Sequence, residues 1–210
     1  KQNKYTKAIN NLNKEGVGVK INAKDEYVIL SYHPVTTELF QNEIYIKKIL
    51  NVLRDLKYKK IILWPNSDAG SEMISRVVRQ YREKKLINNT RFIKNVSIET
   101  YVNLLQNCKC LIGNSSSGLH EVPFFKKPTI NIGNRQKGRI KVKSVIDVSM
   151  NSNEITKALN KINFRSFKKK LKKVSSPYGK GGAGKKIIKK LKKINLANIK
   201  NKKFIDIRFS

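Results

Sequence analysis

Apolar positions in this chain follow two different periods in turn. Short runs in which nearly every other position or more is apolar or β-branched recur at "YVILSY" (27–32), "KKIILWP" (59–65), "TRFIKN" (90–95), "KCLIG" (109–113), "PTINIG" (128–133) and "VKSVIDV" (142–148). Runs of this length and composition read as strands. Between them the spacing turns helical. Leu39, Ile46, Ile49, Leu50 and Leu53 share a face in 37–56, with Thr36 or Thr37 placed to cap it, and 71–85 continues the pattern behind Ser71. "SIETYVNLLQNC" forms a third helix with Ser97 as its N-cap, and "SGLHEVPFF" a short fourth. Six short strands joined by helical crossovers predict an α/β fold with a doubly wound, Rossmann-like parallel sheet over residues 26–150. "SNEITKALNKI" and "IIKKLKKI" predict helices in 151–210 that pack on that domain by one face. Residues 1–25 are polar and aperiodic, and read as a linker or the remnant of something upstream. A start at Lys1 rather than Met points the same way.

Composition changes the picture in one respect. Hydrophobic residues make up 39% and aromatics 8%, as in a globular protein, but the formal charge is +32. Residues 151–210 hold 19 Lys and Arg against two acids, and the first 150 hold 27 against 12, so the excess runs throughout. No Arg–aromatic interleaving or nucleic-acid motif accompanies it, which favours a solvated basic surface; a nucleic-acid-binding module is the distant alternative. No apolar run is long enough to span a bilayer, and no signal peptide is evident, so no membrane partner is expected. Cys108 and Cys110 are too close for an ordinary disulfide and lack a matching pair for zinc. They read as small core residues in a reducing cytoplasm, and neither a metal nor a cofactor is expected.

In a doubly wound sheet, ligands bind at the carboxyl ends of the strands. Three of those ends are unusual. In "SYHPVTTE" (31–38) His33 stands at a strand's mouth; in "WPNSDAGSE" (64–72) Asn66, Asp68 and Ser71 gather, with Gly70 permitting a tight turn. In "IGNSSSGLHEVP" (112–123) small hydroxyl residues open a helix, and free N–H groups with the Ser115 and Ser116 hydroxyls suit an anion. Glu121, six positions on, can accept the hydroxyls of a ribose while the serines hold attached phosphates. "GKGGAGKK" (179–186) comes close to a phosphate-binding P-loop, but Lys186 replaces the hydroxyl residue that ligates Mg²⁺ and no buried strand precedes it. It reads as a turn or hinge before a last helix.

"HPVTTE", "WPNSDAGSE", "GNSSSGLHEV", "KPTINIGNRQKGR" and "PYGKGGA", in that order and spacing, resemble the UDP-N-acetylglucosamine 2-epimerases, most closely the hydrolysing branch of sialic-acid-type sugar synthesis. The resemblance covers about residues 26–195. It implies the C-terminal half of a GT-B-like two-domain fold, with UDP-sugar in the cleft. It implies that Ser115 and Ser116 bind the pyrophosphate, Glu121 the ribose, Arg135 the diphosphate, and the backbone of Val96 the uracil. His33 would be the cleft histidine, with Asn66 and Asp68 beside the substrate. The implied reaction is anti-elimination of UDP followed by hydration, giving N-acetylmannosamine. The acid and base carboxylates belong to the absent N-terminal half, so this chain alone should be inactive. UDP-N,N'-diacetylbacillosamine epimerisation and GT-B glycosyl transfer are the alternatives, and a homo-oligomer is expected of the whole enzyme. The acidic residue usual in the terminal turn is replaced by Lys180.

Overall fold

The computed structural model describes residues 3–179 and 181–195. Lys180 and residues 196–210, part of the expected C-terminal helical region, lie outside the described residues. The elements run α1 (Lys4–Glu15), β1 (Val17–Gly18), β2 (Tyr27–Ser31), α2 (Asn42–Arg54), β3 (Lys59–Leu63), α3 (Ser71–Glu83), β4 (Thr90–Ile93) and α4 (Ile98–Asn107). They continue with β5 (Leu111–Gly113), α5 (Ser117–His120), β6 (Thr129–Ile132), β7 (Val145–Val148), α6 (Ser152–Lys161), α7 (Arg165–Lys172) and α8 (Ala183–Leu191).

All six anticipated strands form, and they pair in parallel in the order β4-β3-β2-β5-β6-β7. The chain winds outward from β2 in one direction, then returns to β5 and winds the other way. That reversal between β2 and β5 opens a crevice at the carboxyl ends of the two strands. Every residue of β2 is buried because both sheet faces are covered, which is why its sequence is continuously apolar. Val28, Leu30 and Ile62 meet α2, α3, α6 and α7 through Ile46, Val77, Ile155 and Phe167. Tyr27, Ile29 and Ile61 meet α1 and α4 through Leu12 and Leu104.

The expectation of a linker at residues 1–25 is corrected by the structure. Asn3 caps α1 by accepting from the Tyr5 N–H at 3.1 Å, and Ala8, Ile9 and Leu12 are buried on the sheet. β1 then adds an antiparallel edge to β4, pairing Val17 with Phe92 and Gly18 with Arg91. The buried Arg91 guanidinium ties this segment down, donating to the carbonyls of Leu12 (3.3 Å), Gly18 (2.8 Å) and Asn13. Three apolar residues suffice to dock a helix whose polar groups are also satisfied, as Asn11 is by Thr100 at 3.3 Å. Residues 1–177 form one unit, so no boundary falls at 25 or at 150; α6 and α7 contribute Ile155, Leu159, Phe167 and Leu171 to its core. Residues 178–210 form a second unit, whose described part is a turn with Gly179, Gly181 and Gly182 at positive φ, then α8.

Two helix starts also differ from expectation. Residues 36–41 form a 3₁₀ turn before α2, and neither Thr36 nor Thr37 caps the helix. The buried Asn42 side chain organises the corner instead, accepting from Val35 N–H at 3.1 Å and donating to the Val35 and Leu39 carbonyls at 3.3 and 3.2 Å. Gly70, at φ +87, occupies the cap position of α3, with Ser71 its first residue. Ser97 caps α4 as expected, accepting from Thr100 N–H at 3.2 Å.

Candidate functional site

The crevice where the winding reverses is built around Asn114, 1% exposed, immediately after β5. Its Oδ1 accepts from the His33 N–H at 2.7 Å and its Nδ2 donates to the His33 carbonyl at 2.8 Å. Its own backbone N–H reaches the Ser31 carbonyl at 3.2 Å. The Asn114 carbonyl in turn accepts from Arg135 Nη1 at 3.1 Å and Gln136 Nε2 at 2.7 Å. The His33 backbone and the Arg135 guanidinium are thereby held by one residue, although 102 positions separate them in the chain.

His33 is 7% exposed. Its Nδ1 lies 3.4 Å from the Asn66 N–H, which can only donate, and its Nε2 lies 3.4 Å from Ser31 Oγ. With Nδ1 accepting, the proton of a neutral ring sits on Nε2. Burial, and after it the Arg135 charge, hold the imidazole below its ordinary value, with the Asp68 carboxylate opposing them. At pH 7 His33 is therefore neutral and acts as a hydrogen-bonding group, not as a cation. Asp68 Oδ2 stands 3.8 Å from Arg135 Nη2, both partly exposed, a loose pair open to competition by another anion. A cavity of about 560 Å³ adjoins Asn66 and is lined also by Trp64, Glu72, Arg76 and Lys94.

The second group of anticipated residues follows along the chain. Ser115 Oγ accepts from Ser117 N–H at 3.3 Å, turning the loop into α5. Ser116 leads into α5 through its carbonyl, which accepts from Leu119 and His120 at 2.9 and 3.1 Å, and its side chain makes no cap bond. Because α5 is a single turn, its macrodipole is small, and the anion capacity expected here rests on loop amides and hydroxyls instead. Tyr101 on α4 donates to Ser117 Oγ at 2.8 Å. Burial pushes the Tyr101 phenol up to about 12, and the Glu121 carboxylate adds to that rise; the Glu121 side chain is exposed. Val96, half-buried between β4 and α4, packs on the same core face as Tyr101.

The structure thus joins His33, Asn66, Asp68 and Arg135 in one cluster, with Ser115 and Ser116 entering directly from Asn114. Among the described residues, no hydrogen bond joins Glu121 or Val96 to that cluster. Asn114 and Gln136 were not singled out in the sequence. Both lie inside quoted motifs, "GNSSSG" and "NRQKGR", and an amide between a strand end and a Ser-rich turn was the available signal.

The UDP-N-acetylglucosamine 2-epimerase family pattern matches residues 2–192. GDP/UDP-N,N'-diacetylbacillosamine 2-epimerase (hydrolyzing) of Campylobacter jejuni is 36% identical over 205 residues, covering 96% of this chain and 53% of that protein. Polysialic acid biosynthesis protein P7 of Escherichia coli is 36% identical over 160 residues, 75% of this chain and 40% of its own. The chain therefore spans about half the length of the curated relatives it matches. Among solved structures, the UDP-GlcNAc 2-epimerase of Neisseria meningitidis bound to UDP-GlcNAc superposes with a TM-score of 0.66 at 16% identity, over 83% of this chain and 46% of that one. The UDP-GlcNAc 2-epimerase of Methanocaldococcus jannaschii gives 0.62 at 17% identity, over 91% and 50%. These likenesses establish a shared fold, and the sequence matches establish kinship: the chain belongs to the UDP-N-acetylglucosamine 2-epimerase family.

Proposed function

We propose that this chain is the UDP-binding, C-terminal half of a hydrolysing 2-epimerase that converts a UDP-linked 2-acetamido sugar, UDP-N-acetylglucosamine in the first instance, to the free 2-epimer and UDP. The observation that carries the proposal is the Arg135 guanidinium, fixed at 3.1 Å on the Asn114 carbonyl and one residue from the Ser115 loop. A planar fork held there suits paired diphosphate oxygens. Ser115 and Ser116 add hydroxyls and loop amides, Glu121 takes the ribose hydroxyls, and the backbone at Val96 takes the base.

Elimination breaks the C1–O bond and leaves negative charge on the departing diphosphate. Fixed donors aimed at that charge stabilise the transition state more than the ground state. Arg135 supplies the permanent charge. His33, neutral, supplies a directional Nε2–H donor that exchanges Ser31 Oγ for a substrate oxygen. Removal of the C2 proton and its return require carboxylates acting as base and acid. Asp68 is read here as the resting partner of Arg135, and the acid and base carboxylates are assigned to the other half of the enzyme. The names of the relatives support the wider substrate class: sugars differing at C4 and C6 share the same C2 chemistry, so UDP-N,N'-diacetylbacillosamine falls within this reading.

The test is calorimetric titration of the 210-residue chain with UDP, alongside an assay for UDP release from UDP-N-acetylglucosamine. Binding is expected, without turnover. Arg135→Met should weaken binding about 10- to 100-fold, the worth of one charge-assisted contact, and Glu121→Ala should weaken it too. Equal affinity in wild type and both variants would remove the assignment; turnover by the chain alone would refute the division of labour.

A further inference from the structure

We propose that Asn114 is a positioning residue that continues the β2–β5 pairing past the ends of the strands and so fixes His33 and Arg135 relative to each other. The backbone ladder between β2 and β5 ends at Ser31 and Gly113. Beyond it the two chains diverge, yet His33 still has both backbone groups paired, because the Asn114 side-chain amide offers an acceptor and a donor in the arrangement a facing peptide would present. The Asn amide carries the two on separate atoms, as a peptide does, whereas a hydroxyl carries both on one. On its other side, the Asn114 peptide carbonyl takes two donors, one from Arg135 and one from Gln136. The residue is buried, so water does not replace a lost partner cheaply. One residue therefore transmits the position of the sheet to both the neutral donor and the cation.

The titratable and charged groups facing His33 are Arg135, from the loop after β6, and Asp68, from the loop after β3. Loosening the frame admits water to the imidazole and lets the guanidinium drift away, and both changes favour its protonation. The consequence for UDP binding rests on the proposed nucleotide site; the consequence for His33 does not.

The chain holds two histidines, His33 and His120, so its imidazoles can be followed individually by nitrogen-detected NMR. In the nucleotide-free 210-residue chain, Asn114→Ala should move the His33 midpoint upward toward 6.5, its ordinary value. It should also lose the preference for a proton on Nε2. Amide exchange at His33 and Asn66 should accelerate about tenfold or more, the order expected when a buried hydrogen bond is lost, while amides of β3 and β4 keep their protection. Gln136→Met, which removes one donor and with it a buried Oε1 that lacks a partner, should shift His33 in the same direction by less. It also serves as the reading if Asn114→Ala unfolds. A His33 titration, tautomer and exchange rate unchanged in a folded Asn114→Ala, or unchanged in Gln136→Met where the first variant does not fold, would overturn the proposal. Because no nucleotide is present, a wild-type chain that fails to bind UDP sinks the preceding assignment and leaves this one standing.

Discussion

Gly113 offers the most direct test of how the site is anchored. It ends β5 with φ +129, a region closed to residues with a side chain, and a Cβ built there would stand 2.1 Å from the Ser31 carbonyl oxygen and 2.7 Å from its carbon. The obstructing atoms are backbone of the neighbouring strand, so Gly113→Ala cannot be relieved by a rotamer change. Either β5 rotates away from β2 or the strands separate. The backbone term alone costs about 1–3 kcal/mol. Drawing Ser31 away from the Asn114 N–H and disturbing the two Asn114–His33 bonds adds about 1 kcal/mol each. A loss of about 4–6 kcal/mol follows, a large part of the 5–15 kcal/mol typical of a folded domain. At about 2–4 °C per kcal/mol for a unit of this size, Tm should fall by roughly 10 °C or more. Gly138→Ala is the control, since Gly138 has φ +77 but nothing within 4 Å of its built Cβ. It carries the backbone term without the collision. Urea unfolding of both variants, with the slope checked for constancy, gives the comparison. Equal midpoints for Gly113→Ala and Gly138→Ala would refute the claim that close approach of β2 and β5 constrains this position.

Other outcomes follow from the same structure. Leu12→Ala, on the helix that the sequence pattern misses, should cost about 2–5 kcal/mol as a core truncation does; a loss below about 0.5 kcal/mol, as at a surface position, would mean that α1 does not dock. Stability should also fall as pH drops below about 6.5, because an unfolded His33 binds its proton there while the folded one, held lower by burial and Arg135, does not. The contribution is complete above 6.5 and is lost as pH falls toward the folded value. His33→Gln should flatten that portion of the urea-midpoint profile, and an unaltered slope between pH 7.5 and 5.5 would count against it.

How much was legible depends on how each element is stabilised. The six parallel strands could be read because burial on both faces demands continuous apolar runs such as "YVILSY" and "TINI". The helix α1 could not, since Ala8, Ile9 and Leu12 lie among lysines and asparagines and its remaining hold comes from Arg91, 79 positions from Leu12. Capping was legible where it is local, as with Ser97, and not where Asn42 reaches back to Val35. In the site, residue type announced His33 and the serines as candidates, whereas Arg135 was placed through family resemblance alone. Asn66 approaches His33 through its backbone N–H, a contact that no side-chain pattern encodes. Asn114 eluded notice for a related reason: an amide that imitates a strand has no periodicity of its own.

Burial, and after it the nearby Arg135 charge, explain why the imidazole is neutral and why that suits the proposed chemistry. Two cations brought together at this depth would repel, and the burial that strengthens every charge interaction would strengthen that repulsion too. Arginine does not release its proton at any working pH, so the histidine yields. The site then holds one permanent positive charge, on the partly exposed guanidinium, and one uncharged N–H on the buried ring. An incoming diphosphate can draw Arg135 from Asp68 at little cost, because that pair is loose. The ring keeps its Nε2–H for the departing oxygen, because its Nδ1 already accepts from the Asn66 N–H. A lysine at 135 would keep the charge and lose the fork that reaches Asn114 and the ligand together, and for that reason Arg135→Lys should weaken UDP binding and loosen His33 at once.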